Sequence, residues 1–239
     1  PEVGGAEWLR LVTASKAAAI LGLSPWESPY SLWHQMKGVA EREQNNAMRR
    51  GTYLEPAILA WFRDQHALVA GEFWHEQVFT PLSDWAGATV DAQFQGVDGL
   101  HLVEAKSAAR MDEWGRPGTD EIPAYYLAQV YFQLAVTGAV RCHIPVIGPY
   151  LEFAEYVVEA DEEMQAQTIA ACKRFHDSLA NDEPPALDKH AATYDTVRRL
   201  HPEIDGTTAT IAPADAAEYV NASLDLKAAT ERERLAKTH

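Results

Sequence analysis

Apolar residues recur first at helical spacing, then in alternation, then at helical spacing again, and these switches lay out the elements. Thr13-Ala14-Ser15-Lys16 leads into the apolar run 17–21, which Gly22 closes. That pattern predicts a short helix with Thr13 as N-cap and a glycine just past its end. After a turn through Ser24-Pro25-Trp26, Ser28 caps a second helix with Pro29 in its first turn, running through Leu32, Trp33 and Met36 to Gly38. Residues 46–65 put Leu54, Ile58, Leu59, Trp61 and Phe62 on one helical face. Pro56 inside that stretch implies either that the helix proper starts at Gly51 or that it kinks.

Residues 72–79, 86–94 and 100–106 then read as three antiparallel strands, the last two joined by a hairpin through Gly96 and Asp98-Gly99. Residues 110–119, with two glycines and a proline, read as an exposed loop. Residues 122–137 form an apolar helix stopped by Gly138, expected to be buried on more than one side. Strands at 140–147 and 151–158 pair across Gly148-Pro149, and an amphipathic helix at 161–179 packs behind them. Pro184-Pro185 marks a boundary: residues 1–183 form the main domain and 184–239 an appendage, irregular over 186–212 and then a polar helix at 213–237. The order of helices and strands predicts a layered α+β domain.

Composition narrows the class. The 239 residues are 47% hydrophobic, enough to bury one good core. No apolar run approaches the roughly 18 residues of a membrane span, and 1–5 lack the features of a signal peptide, so membrane and secreted readings are disfavoured. A chain that opens on Pro1 is expected to be processed or trimmed. Cys142 and Cys172 are too few for a disulfide scaffold or a four-cysteine metal site and read as reduced, structural and cytoplasmic. The formal charge of −15 argues against a protein that coats nucleic acid passively. The imbalance is steeper after residue 149, with 18 acids against 9 bases, than before it, with 17 against 11. It leaves room for a metal-dependent enzyme whose acids are ligands.

The sharpest candidate chemistry is Glu104-Ala105-Lys106 at the end of a strand. Alternation puts Glu104 and Lys106 on one face, and Asp91 can sit across the hairpin so that two carboxylates converge on a cation. Oxygen donors suit Mg²⁺ or Mn²⁺ better than zinc. Taken alone, an ExK on a strand is more often a solvated ion pair, and Asp98 competes for the ligand role, though Asp98-Gly99 is what a turn requires. Glu55 and Gln129 are polar among apolar neighbours, which fits a site but also fits a helix-dipole acid and a satisfied core amide. The tryptophans read as core by default, with Trp114 as the one that could meet a ligand. Arg49 and Arg50 could touch a phosphate backbone.

Five strings, TASKAAAILGLSPWESPYSLWHQMKG, MRRGTYLEPAI, TVDA, VEAK and YYLAQVYFQLAVTG, stand in order and together resemble the YqaJ-like viral recombinase and phage lambda exonuclease family. That family belongs to the PD-(D/E)xK nuclease superfamily, and the resemblance spans residues 8–180. It implies a restriction-endonuclease-like core, a central mixed β-sheet flanked by helices. It further implies hydrolysis of DNA phosphodiesters with two Mg²⁺ ions, Mn²⁺ being able to substitute. Asp91, Glu104 and the Ala105 carbonyl would be ligands, with Glu55 a ligand borne on a helix. Lys106 would orient or deprotonate the attacking water, and Tyr126 and Gln129, in a Y-x-A-Q motif, would position the site. Arg10 and Ser15 would form a pocket for a 5′-phosphate, next to a helix N-terminus.

The activity so implied is 5′→3′ resection of linear duplex DNA for recombination by strand annealing. The implied partners are double-stranded DNA ends, a single-strand annealing protein and further copies of the chain in a homotrimer, in the cytoplasm of a phage or prophage host. Two alternatives remain open: an endonuclease or nickase of the same fold, and a non-catalytic DNA-end-binding module.

Overall fold

Local signals fix the helix ends. In the computed structural model, which describes residues 10–38, 46–68, 73–74, 79–202, 206, 208 and 210–238, Ser28 Oγ accepts from Ser31 N at 3.0 Å and Ser31 Oγ accepts from Ser28 N at 2.9 Å. This reciprocal cap starts α2 (Pro29–Met36). Before it, α1 (Ala14–Ile20) follows Thr13, whose hydroxyl lies 3.2 Å from Ser15 Oγ and does not cap the helix backbone. α4 (Ala124–Thr137) stops at Gly138, in the left-handed region at φ 70°. Asp161 caps α5 (Glu162–Asn181) by accepting from Met164 N at 2.9 Å.

α3 (Asn46–Gln65) begins at Asn46 and runs as one helix through Gly51 and Pro56, so Gly51 is not its start. Its buried stripe of Ile58, Leu59 and Phe62 supplies packing that outweighs the backbone hydrogen bond lost at the proline.

The strands fall into two sheets. β1 (Val12–Thr13), β4 (Ala86–Thr89) and β3 (Phe79–Pro81) make a small one, with β4 central. The larger contains β2 (Phe73–Trp74), β5 (Ala92–Gln95), β6 (Leu100–Val103), β7 (Lys106–Ser107), β8 (Arg141–Ile147) and β9 (Phe153–Glu159). It is mixed: β6 and β7 both run parallel to β8, while β2–β5, β5–β6 and β8–β9 are antiparallel. The single strand expected at 86–94 is thus two strands in different sheets, parted at Val90-Asp91, because the Asp91 side chain is drawn toward Ala105. Of the strand expected at 72–79, residues 72 and 75–78 lie outside the described residues.

Alternation along the larger sheet feeds two cores. Leu102, Cys142, Ile144 and Val146 pack with Val130 and Leu134 of α4 on one face. Val103, Ala92 and Phe94 pack with Leu59 and Phe62 of α3 on the other. α4 is also buried on its far side, where Ala128 and Phe132 meet Ala14, Ala17 and Ala18 of α1 and Cys172 of α5. The result is the α+β arrangement of a mixed sheet flanked by helices. Both cysteines are buried free thiols, and burial pushes Cys172 up to about 12.

The compact unit that holds this sheet extends to Leu200. Within 186–212, expected to be irregular, stands α6 (Ala191–Leu200). The stretch 184–200, assigned by sequence to the appendage, is tied in by polar contacts. Thr193 Oγ1 lies 2.6 Å from both Ser28 Oγ and Asp188 Oδ1, and His190 Nε2 lies 3.1 Å from Ser24 O. The second unit, from His201, carries α7 (Pro213–Lys237), with no buried residue. Among the described residues no helix is long and apolar enough to cross a membrane.

Candidate active site

The site lies where β6 breaks off. Glu104 N still donates to His143 O at 2.9 Å, but Ala105 N turns away and donates to Asp91 Oδ2 at 2.9 Å before pairing resumes with Lys106 opposite Val146. Such interruptions redirect side chains next to functional sites. Here the break holds Asp91 against the Glu104-Ala105-Lys106 segment and explains why no strand bridges Val90 and Ala92.

Glu104 is 5% exposed, yet both its oxygens are satisfied. Oε1 accepts from Lys106 Nζ at 2.7 Å and Gln129 Nε2 at 2.5 Å, and Oε2 accepts from Gln133 Nε2 at 2.7 Å. Gln129 and Gln133 stand one turn apart on α4 and grip the two oxygens separately. Gln133 also donates to Thr89 O at 3.0 Å, while its own buried Oε1 has no partner among the described residues. Lys106 Nζ sits 3.4 Å from Gln129 Oε1 and 4.9 Å from the centre of the Tyr126 ring, a cation–π distance.

Carboxylates crowd this cluster: Glu104 and Glu55 both act on Asp91, with the Lys106 ammonium among them. Burial pushes the Asp91 carboxyl well above the usual range, and Glu104 and Glu55 push it further, with Lys106 and the Ala105 N–H opposing only in part. Burial works against charge on Lys106 as well, but Glu104 and then Asp91 outweigh it and hold the amine above its ordinary value. A divalent ion would relieve the crowding of carboxylates, and the donors on offer are all oxygen, so the residues present fit a hard cation.

A cleft of about 750 Å³ opens over this cluster. It is lined by Glu55, Asp91, Glu104, Ala105, Lys106 and Gln129, with Tyr126 and Ser15 at its wall. Arg50 lines it too, whereas Arg10, exposed at the start of the described chain, does not. Sequence reasoning missed two neighbours. Gln133 was betrayed only by its spacing from Gln129 on an apolar helix. Trp26, expected in the core, is 61% exposed, set edge-on to Tyr125 at 4.9 Å, and lines the cleft. Trp114 is half-buried against Tyr126 and Tyr156 and lines the cleft as well.

A mixed sheet with helices on both faces, carrying Asp91 and Glu104-Ala105-Lys106 at a strand break, defines the PD-(D/E)xK nuclease fold. Solved structures agree. LHK-Exo in complex with dAMP superposes with a TM-score of 0.59 at 20% identity, over 84% of this chain and 98% of that one. A second structure describes it as an alkaline exonuclease from Laribacter hongkongensis and gives a TM-score of 0.56 at 20% identity, over 82% and 96%. A phage related exonuclease from Haemophilus somnus 129PT gives 0.54 at 11% identity, over 72% and 96%. In sequence, the uncharacterized protein YqaJ of Bacillus subtilis (strain 168) is 25% identical over 225 residues, 87% of this chain and 67% of that protein. Residues 7–140 match the YqaJ-like viral recombinase domain, and the chain belongs to that family.

Proposed function

We propose that the chain is a metal-dependent exonuclease that degrades linear duplex DNA from its 5′ ends, leaving a 3′ strand for annealing. The observation that carries this reading is the convergence, in one cleft, of Asp91, Glu104 and Lys106 at the strand break with Glu55 from α3 and Gln129 from α4. Asp91, Glu104, the Ala105 carbonyl and Glu55 would hold two divalent ions, Mg²⁺ or in its place Mn²⁺. Bound there, such ions lower the pKa of water and offset charge at the attacking and leaving oxygens.

The chain's own groups do the positioning. Gln129 and Gln133 fix both oxygens of Glu104, so the carboxylate cannot swing as charge in the cleft changes. Lys106 serves to orient or deprotonate the attacking water and to stabilise charge on the phosphoryl oxygens. Tyr126 braces Lys106 through its ring face. Ser15 and Arg50, on the cleft wall, are suited to the end phosphate, with Arg10 the further candidate that the family resemblance supplies. Because the whole chain carries −15, grip on DNA is concentrated in this cleft and its ions. The family resemblance supports a single-strand annealing partner, a homotrimer and work in the cytoplasm of a phage or prophage host.

The test is digestion of linear duplex DNA with 5′-phosphate or 5′-hydroxyl ends beside covalently closed circles, with Mg²⁺ or EDTA, for the native chain and Lys106→Ala. Mg²⁺-dependent loss of linear DNA alone, fastest with 5′-phosphate and abolished in the variant, is expected. Cleavage of the circles would replace this reading with an endonuclease, and tight end binding without cleavage would replace it with an assembly module.

A further inference from the structure

On the opposite face of the sheet from Glu104 lies a second cluster that the nuclease reading does not use. His66, just past the end of α3, His143 on β8 and Glu155 on β9 offer ligand atoms that all lie within 4.8 Å of one another. His66 Nε2 is 2.8 Å from Glu155 Oε2, and His143 Nδ1 is 2.7 Å from Glu155 Oε1. The line continues inward: His143 Nε2 is 3.1 Å from His101 Nδ1, and His101 Nε2 is 2.6 Å from Asp98 Oδ1.

Counting N–H donors exposes a shortfall. An ionised carboxylate only accepts, so each of the four contacts needs an N–H from an imidazole. Three neutral rings supply three, so the fourth needs either a protonated ring or a bound cation. With N–H groups directed at Glu155 from His66 and His143, and at Asp98 from His101, two lone pairs face each other across the 3.1 Å contact between His101 and His143. A cation in place of the hydrogen bonds to Glu155 removes the conflict. His66 Nε2 and His143 Nδ1 then present lone pairs, His143 Nε2–H donates to His101 Nδ1, and His101 Nε2–H donates to Asp98. Every contact is satisfied with neutral rings. An imidazole ligand backed through its other nitrogen by a hydrogen-bonded partner is the usual second layer of a metal centre.

We propose that His66, His143 and Glu155 form a binding site for a divalent transition-metal ion, distinct from the carboxylate site in the cleft. Two imidazole nitrogens and one carboxylate select Zn²⁺ and its neighbours over Mg²⁺. The surroundings suit such a centre: the His143 side chain is 8% exposed, and Phe62 stands 5.3 Å from its ring and 4.2 Å from that of His66. His66, with a side chain 32% exposed, leaves the ion an approach from solvent. The ion would pin the C-terminal end of α3 to β8 and β9, beside the Trp61–Phe153 stack at 4.7 Å.

The test uses the full chain, stripped with chelator and dialysed against Zn²⁺ in excess Mg²⁺, with bound zinc counted by atomic emission and Co²⁺ spectra reporting the ligands. One zinc per chain is expected, with Co²⁺ bands of the intensity given by low-coordinate sites. His66→Ala and, independently, Glu155→Gln lose that ion while melting as the stripped native chain does, whereas Asp91→Asn keeps it. Asp98→Ala, which removes the outer partner of His101 together with the Arg141 ion pair at 2.9 Å, weakens zinc binding about tenfold. Equal zinc in native and His66→Ala chains, no zinc in either, or loss of zinc in Asp91→Asn would overturn the proposal.

Discussion

Replacing Asp91 with Asn should abolish nuclease activity and, without metal, make the protein more stable. Asp91 is a half-buried carboxylate beside Glu104 and Glu55, with the Lys106 ammonium close by. A buried ion that lacks full compensation costs several kcal/mol, and Lys106, already bonded to Glu104 at 2.7 Å, compensates only part. Asparagine keeps an oxygen for the Ala105 N–H, so the contact at 2.9 Å survives as a neutral hydrogen bond, weaker by about 1 kcal/mol. Setting that loss against relief of the charge leaves a net gain of roughly 1–3 kcal/mol. For a chain of this size the gain amounts to about 2–12 °C in Tm. The pH dependence follows from the same shift. The folded chain holds the Asp91 proton more tightly than the unfolded chain, so native stability falls as pH rises from about 3.9, the unfolded value, through the raised native value. Thermal unfolding followed by circular dichroism in EDTA and in Mg²⁺, across that window, reads both effects. In EDTA the variant should melt higher and lose this segment of pH dependence, and Mg²⁺ should stabilise the native chain more than the variant. An Asp91→Asn protein that melts at or below the native one in EDTA above that window would refute the picture of an uncompensated carboxylate.

Lys106→Met keeps the length of the stem and removes the cation; turnover on linear DNA should fall about 10²–10³-fold. Its stability in EDTA should fall by about 3–5 kcal/mol, since Glu104 is left buried beside Asp91, and an unchanged melt would show that the ion pair is solvated. Gln133→Leu, similar in volume, removes the contact to Glu104 Oε2; kcat should drop roughly tenfold with KM little changed, a factor equivalent to about 1.4 kcal/mol. Equal loss from a distant core substitution would assign Gln133 to stability alone. Thr193→Val breaks two buried hydroxyl contacts at 2.6 Å and should cost about 1–2 kcal/mol in denaturant unfolding; a chain ending at 183 should lose more than one ending at 200, and equal melts would show that α6 is dispensable.

Where the chain carried strong local chemistry, it could be read directly. Ser28-Pro29 announced α2, Gly138 the end of α4, and Asp161 the start of α5, because caps act within a few residues of themselves. Asp91, Glu104 and Lys106 were legible because strand alternation and a short hairpin bring them together by local rules. What was not legible depends on distant partners. α6 buries Thr193, whose hydroxyl meets Ser28 and Asp188, and Thr196, whose hydroxyl bonds back to Ala192 O, so its buried side is polar rather than an apolar stripe. The division of 86–94 between two sheets follows from where Asp91 is drawn, not from hydropathy. Gln133 looked like any glutamine on an apolar helix until Glu104 was placed opposite it. The His66–His143–Glu155 cluster joins residues up to 89 positions apart, beyond any motif spacing.

The break between β6 and β7 has a consequence for how the protein comes into being. Glu104 is held by glutamines on a helix that follows it in the chain, and the pairing that frames Ala105 is completed only by β8, later still. A nascent chain that has emerged as far as Lys106 therefore contains every acidic group of the site and its lysine, but neither the glutamines that hold Glu104 nor the strand that frames Ala105. The site is complete only once Ile147 is in place, and a fragment that stops short of it lacks part of the frame around Glu104 and Ala105.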